Sequence, residues 1–212
     1  MKIETKCAVI LCNGEPPGRE QLISGLESAD LFIAADGGGN TARQFGLTPD
    51  LVIGDLDSYY SRPDDTIPVL SRPDQNSNDL EKAFAYVAEK GVNSVIVFGA
   101  TGRRVDQTVK NLSVLKQFHP QFQSLIFRDS YCDIQLLEAH YQAELPLHTS
   151  VSLFPLSGVV EGITTRGLKY SLNNGRLENG VFDGSSNETV EPEISIRHSS
   201  GDLLFFINHK TD

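Results

Sequence analysis

The sequence predicts an α/β fold followed by an all-β part: a parallel-sheet α/β domain over residues 1–128, then an antiparallel β-sandwich over 129–212. Three observations carry this. In the first half, short runs of branched apolar residues alternate with helical patterns, which is the grammar of a parallel sheet covered on both faces. After about Arg128 the helical periodicity stops, and short strand-like pieces follow one another between Gly, Pro, Asn and Ser. The chain has 212 residues, 39% of them hydrophobic, enough for one large core or two small ones. One long domain with an appended sheet is the alternative organisation, and a small barrel the alternative for the second half.

The elements follow in order. CAVIL (7–11), LFIAA (31–35), LVI (51–53), SVIVF (94–98) and SLIF (124–127) read as buried strands, each bounded by Gly, Asp or Pro. Between the third and fourth lies the clearest helix, 78–90. Leu80, Ala83, Phe84, Val87 and Ala88 share one face, Asn78 and Glu81 form a capping-box pair, and Gly91 ends it. A helix over 106–118 should turn Val109, Leu112 and Leu115 inward, and a short one runs over 40–45. The second half predicts strands at 133–137, 150–154, 158–165, 169–172, 194–198 and 203–208.

The formal charge is −10, which disfavours binding to nucleic-acid backbone. An acidic chain that handles a polyanion needs a metal ion or local Arg and Lys, whereas a cationic small substrate finds the field helpful. Cys7, Cys12 and Cys132 are odd in number and lack C-x-x-C spacing, so neither a disulfide framework nor a zinc site is expected. The opening MKIETKCAVILCNGE holds an apolar run too short for a signal h-region or a membrane span, so a cytoplasmic location and no membrane partner are expected. The glycosylation-type triplets at Asn111 and Asn187 are read as chance matches.

In parallel α/β sheets ligands sit beyond the C-terminal strand ends, and four such ends carry suitable residues. In AADGGGN (34–40), Asp36 closes a strand and Gly37, Gly38 and Gly39 permit a tight turn into a helix N-terminus that favours anions; taken by itself, the segment reads better as a plain turn with a capping Asp. In PDLVIGDLDS (49–58), Asp55 and Asp57 stand two apart, so on an extended backbone they converge and could hold Mg²⁺; a solvated turn is the alternative. In RPDQNSNDLEKA (72–83), Asp79 lies in the first helical turn, either favoured there by the helix dipole or facing the metal, and Gln75 could present an amide to a polar substrate. In FGATGRRVDQTVKN (98–111), Thr101, Gly102 and the pair Arg103-Arg104 precede a helix, a phosphate clamp that lacks the Walker ending.

DGGGN, PDLVIGDLDS, DQNSND..KA and GATGRRVDQT, in this order and spacing, resemble the thiamin pyrophosphokinase family, as do VSLFPLSG, TTRGLKYSLNNG and SSNE in the second half. The resemblance spans nearly the whole chain. It implies an α/β domain binding ATP and Mg²⁺, a β-sandwich domain serving thiamine and dimerisation, and a homodimer that converts ATP and thiamine to AMP and thiamine diphosphate. It implies Asp55, Asp57 and Asp79 at the metal and reacting phosphates; Asp36, Gly37, Gly38, Thr101, Gly102, Arg104 and Asp106 at ATP; and Gln75, Ser186 and Asn187 at thiamine, with Tyr170 from the partner subunit packing on the substrate. On the residues alone, Tyr170 reads more readily as a surface strand aromatic. The chain departs from the family pattern at Asn78, Arg103 and Gln107, where Thr, Gly and His are usual.

The chemistry this implies is attack of a hydroxyl on the β-phosphorus with AMP leaving, driven by positioning and electrostatics, with the base unassigned. Three other readings stand beside it. They are a related diphosphokinase acting on a hydroxymethylpterin-type alcohol, a D-x-D phosphatase using an aspartyl phosphate, and a non-catalytic sensor.

Overall fold

Branched and aromatic residues at 7–11 and 31–35 form the first two strands of the computed structural model, which describes residues 6–63 and 65–209. Residues 1–5, on which part of the N-terminal reading rests, lie outside the described residues. The chain divides into two compact units, Met1–Ser130 and Tyr131–Asp212.

The first unit runs β1 (Cys7–Leu11), α1 (Arg19–Leu26), β2 (Leu31–Ala35), α2 (Gly38–Gln44), β3 (Leu51–Gly54), β4 (Val69–Ser71), α3 (Asp79–Glu89), β5 (Ser94–Phe98), α4 (Val105–Phe118) and β6 (Ser124–Arg128). All six strands are parallel, in the order β6-β5-β1-β2-β3-β4. Strands β1, β2 and β3 bury both faces, which is why they read as continuous apolar runs. Val9, Leu11, Leu22, Phe32, Ala42 and Phe98 pack on one side. On the other side α3 brings Phe84 against Phe118, with ring centroids 5.0 Å apart.

The capping box at α3 forms as the sequence indicates: Asn78 Oδ1 accepts from the Glu81 amide at 2.9 Å, and Glu81 Oε2 accepts from the Asn78 amide at 2.8 Å. In α4 the inward face differs from expectation. Asn111, Val114, Leu115 and Phe118 are buried, while Val109 is 62% exposed. The Asn111 side chain sets this face by donating to the Ala100 carbonyl at 2.8 Å. Helix α1 gave no periodic signal because its contact with the core is made largely by Leu22 and Gly25, the latter seated on the Phe98 ring. Strand β4 is a short edge strand with Val69 exposed.

The second unit holds β7 (Cys132–Leu136), β8 (His140–Glu144), β9 (Ser150–Pro155), β10 (Val159–Arg166), β11 (Gly175–Glu178), β12 (Gly184–Glu188), β13 (Glu193–Arg197) and β14 (Leu203–Asn208). They form two antiparallel four-stranded arrangements, β12-β9-β14-β7 and β11-β10-β13-β8. Leu153, Phe205, Val160, Ile163, Leu177 and Ile196 from both close over one core, making a sandwich. The strand expected at 169–172 is instead a loop, held by other groups. Asn187 Oδ1 accepts from the Tyr170 amide at 3.0 Å, and the Thr165 hydroxyl accepts from the Leu172 amide at 2.9 Å. Cys7, Cys12 and Cys132 are free thiols. Among the described residues no helix is long and apolar enough to cross a membrane.

Candidate active site

The chain leaves β1 toward β2, β3 and β4 on one side and then crosses to β5 and β6 on the other, so the strand order reverses between β1 and β5. That crevice is where such sheets bind ligands. Its walls are zipped together: the amides of Cys12, Gly14 and Glu15 donate to the carbonyls of Phe98, Gly99 and Thr101 at 2.8, 2.8 and 2.7 Å. Asn13-Gly14-Glu15 is not among the expected segments; the Asn-Gly pair directly after the first strand is the signal that marks it.

Beside this crevice three carboxylates converge. Asp36, Asp55 and Asp79 each offer an oxygen, and these oxygens all lie within 4.8 Å of one another. Each comes from a different element: Asp36 follows β2, Asp55 follows β3, and Asp79 opens α3. Gly54 makes the convergence possible, since a β-carbon there would lie 2.9 Å from the Asp36 β-carbon and 3.0 Å from Asp79 Oδ1. Asp36 is buried at 4% exposure, and its two oxygens accept from the amides of Ser58 and Tyr59 at 3.2 and 3.1 Å. Burial pushes its carboxyl above the usual carboxylate range, and the charges of Asp79 and Asp57 add to this, against the Gly37 amide and Ser58. Asp55 goes the other way. The Asp57 amide and then the Gln75 side chain, at 3.2 Å each, hold it below the usual range.

Asp57 lies outside the convergent set, although it follows Asp55 by two. The reason is the backbone: Leu56 sits at φ +69°, so the segment is a turn, not the extended strand that would point both aspartates one way. Asp57 Oδ1 accepts from the Ser58 hydroxyl at 2.8 Å. The turn is fastened to α2. Asn40 bonds the Ser58 carbonyl and Tyr60 amide, and Arg43 bonds Tyr59 and Asp65.

At the β5 end, Arg104 is the N-cap of α4 and pairs with Asp106 at 2.5 Å, leaving both side chains largely exposed. Thr101 donates to Asp129 Oδ2 at 2.9 Å, and Gly102 turns at φ +78°. Arg103 adopts φ +50°, with its guanidinium folded onto Asn13 at 3.2 Å. Of the six described non-glycine residues with positive φ, Asp36, Leu56, Arg103, Asn174 and Ser186 fall in segments that the sequence singled out, and His148 does not. Cys12 is buried and its thiol is pushed up to about 12, first by burial and then by the Asp79 charge, which makes it inert.

In the second unit, Asn187 is buried at 5% exposure, and its amide clamps Tyr170 by both backbone groups, at 3.0 and 2.9 Å. Tyr170 is 62% exposed with the Lys169 ammonium 5.8 Å above its ring, and Ser186 lies on β12 with its amide on Ser152.

Acids gathered at the strand ends of an α/β domain define a protein with a candidate metal and phosphate site at the C-terminal edge of its sheet. Residues 23–127 match the family model "Thiamin pyrophosphokinase, catalytic domain", and residues 138–203 match "Thiamin pyrophosphokinase, vitamin B1 binding domain". Thiamine pyrophosphokinase 2 of Arabidopsis thaliana is 29% identical over 97% of this chain and 87% of its own length. In fold, the chain is similar to the thiamine pyrophosphokinase of Bacillus subtilis, at TM-score 0.84 and 22% identity over 97% of this chain and 100% of that one. It is likewise similar to the thiamin pyrophosphokinase of Candida albicans, at TM-score 0.86 and 19% identity over 97% and 90%. The chain therefore belongs to the thiamin pyrophosphokinase family, and it is an enzyme of the thiamine diphosphokinase class.

Proposed function

We propose that the chain transfers a pyrophosphoryl group from ATP to the hydroxyl of thiamine, with Mg²⁺ bound at the acidic cluster, and acts as a cytoplasmic homodimer. The observation that carries this is the convergence of Asp36, Asp55 and Asp79 beside the β1/β5 crevice. The donor set fits the ion: all-oxygen, carboxylate, and small enough to leave coordination positions for phosphate and water. Asp55 and Asp79 would hold it, with Asp36 behind them. Asp57, on the same turn, would serve its outer shell or the phosphates. When bound, Mg²⁺ supplies positive charge to the phosphate oxygens.

The chain's own residues do the rest. The turn after β5 offers its backbone amides and the α4 N-terminus to the triphosphate, through Thr101 and Gly102. Arg104 exchanges its exposed bond with Asp106 for a bidentate bond to phosphate. Gln75, held on Asp55, presents its amide to the substrate, and Asn187 fixes the loop that carries Tyr170. The hydroxyl oxygen of thiamine bonds to the β-phosphorus while the bond from that phosphorus to the bridging oxygen breaks. AMP leaves with that oxygen, and the hydroxyl proton is released to water. Asp79 Oδ1 already accepts from the Asp55 amide and Lys82, so it is assigned to ligation and not to taking the hydroxyl proton. The cationic ring of thiamine suits a chain of net charge −10 and an aromatic face such as Tyr170.

The test is metal removal. Chelation with EDTA should abolish thiamine-dependent consumption of ATP, and added Mg²⁺ should restore it; full turnover in EDTA would contradict the reading. Arg104→Lys should raise KM for ATP about tenfold, because an ammonium cannot reproduce a planar fork. Unchanged ATP kinetics would remove Arg104 from the site.

A further inference from the structure

Lys82 lies one helical turn after Asp79, and its ammonium donates to Asp79 Oδ1 at 3.1 Å. Its side chain is only 6% exposed. Lysine ordinarily runs its stem along the protein and keeps its charge in water. Lys110 and Lys169, which also form ion pairs here, do so with side chains 44% and 49% exposed. Stability does not explain the difference. A helical pair three residues apart gains little, whereas taking an ammonium out of water is costly.

The setting does explain it. Lys82 is the cation bonded to the cluster of Asp36, Asp55 and Asp79, and its field also reaches Asp55. Three carboxylates brought this close repel one another in the nucleotide-free chain, and a bare cluster of that charge would bind a divalent cation tightly without any substrate.

We propose that Lys82 is a built-in counter-charge that lowers the cluster's own affinity for a divalent cation, so that the cation binds firmly only with the added oxygens of the phosphate substrate. This rests on the reading of the cluster as the metal site.

The probe is Mn²⁺, which takes the same oxygen donors, with the free ion followed by electron paramagnetic resonance in the full, nucleotide-free chain. Lys82→Met and Lys82→Gln should bind Mn²⁺ about tenfold more tightly than the wild type, about 1.4 kcal/mol. Lys82→Arg, which keeps the charge, should match the wild type. Structural damage would weaken binding, so the expected change has the opposite sign. If Lys82→Met melts early, Lys82→Gln, which keeps a donor toward Asp79, decides. Unchanged or weaker Mn²⁺ binding in a natively melting Lys82→Gln overturns the proposal. Asp55→Asn separates the two readings. If it binds Mn²⁺ as the wild type does, the cation lies elsewhere and the metal assignment falls, taking the proposal with it.

Discussion

Asp55→Ala should lower turnover by at least about 10²–10³-fold while leaving the protein folded. Asp55 is the hub of the cluster. Its amide donates to Asp79, one oxygen accepts from the Asp57 amide, and the other accepts from Gln75. Removing the carboxylate takes away a proposed metal ligand and releases Gln75 together. The fold should tolerate the change, because Asp55 lies beyond the end of β3 and its side chain fills no part of the core. Asp57→Ala should also lose turnover, through the phosphates or the outer shell of the ion. Unlike Asp55→Ala, it should leave the affinity for Mn²⁺ within a few-fold of the wild type, since Asp57 stands outside the convergent set. Steady-state kinetics with Mg²⁺, beside a thermal melt of each variant, checks both. Near-wild-type turnover in Asp55→Ala would remove the cluster from the chemistry.

Gly54→Ala is expected to be almost as damaging, although it adds one methyl group and removes no functional atom. The new β-carbon would fall 2.9 Å from the Asp36 β-carbon and 3.0 Å from Asp79 Oδ1, so two of the three acids must move. Overpacking of this kind typically costs about 1–3 kcal/mol of stability. Displacing catalytic groups by about 1 Å costs on the order of 10²-fold in rate. The variant should therefore melt modestly lower and turn over about a hundredfold more slowly. A variant with wild-type kcat would show that the acids need not meet at this distance.

The sequence was legible where one element carried its own signal. The strands 7–11, 31–35 and 94–98 were plain because they are buried on both faces, and α3 was plain because Asn78 and Glu81 cap it. Elements whose pattern depends on their neighbours were not. Helix α1 packs through a glycine, β12 is the polar edge strand GSSNE, and β11 buries one leucine. The four strand ends were readable as a set, since a parallel sheet places them along one edge. The grouping within the set was not. Spacing pairs Asp55 with Asp57, whereas the left-handed turn at Leu56 separates them and the bare α-carbon of Gly54 admits Asp36. Likewise Lys169-Tyr170-Ser171-Leu172 alternates like a strand, but Asn187 and Thr165 take its amides and hold it as a loop. Contacts of this kind, between residues far apart in the chain, leave no local pattern to read.

Pyrophosphoryl transfer is tested most directly by product analysis with ³¹P NMR after mixing the purified protein with ATP, Mg²⁺ and thiamine. Pyrophosphoryl transfer to thiamine should give AMP and thiamine diphosphate in equal amounts, with no ADP formed. ADP with thiamine monophosphate, or AMP formation that does not depend on thiamine, would contradict transfer of a pyrophosphoryl group to thiamine at the acidic cluster.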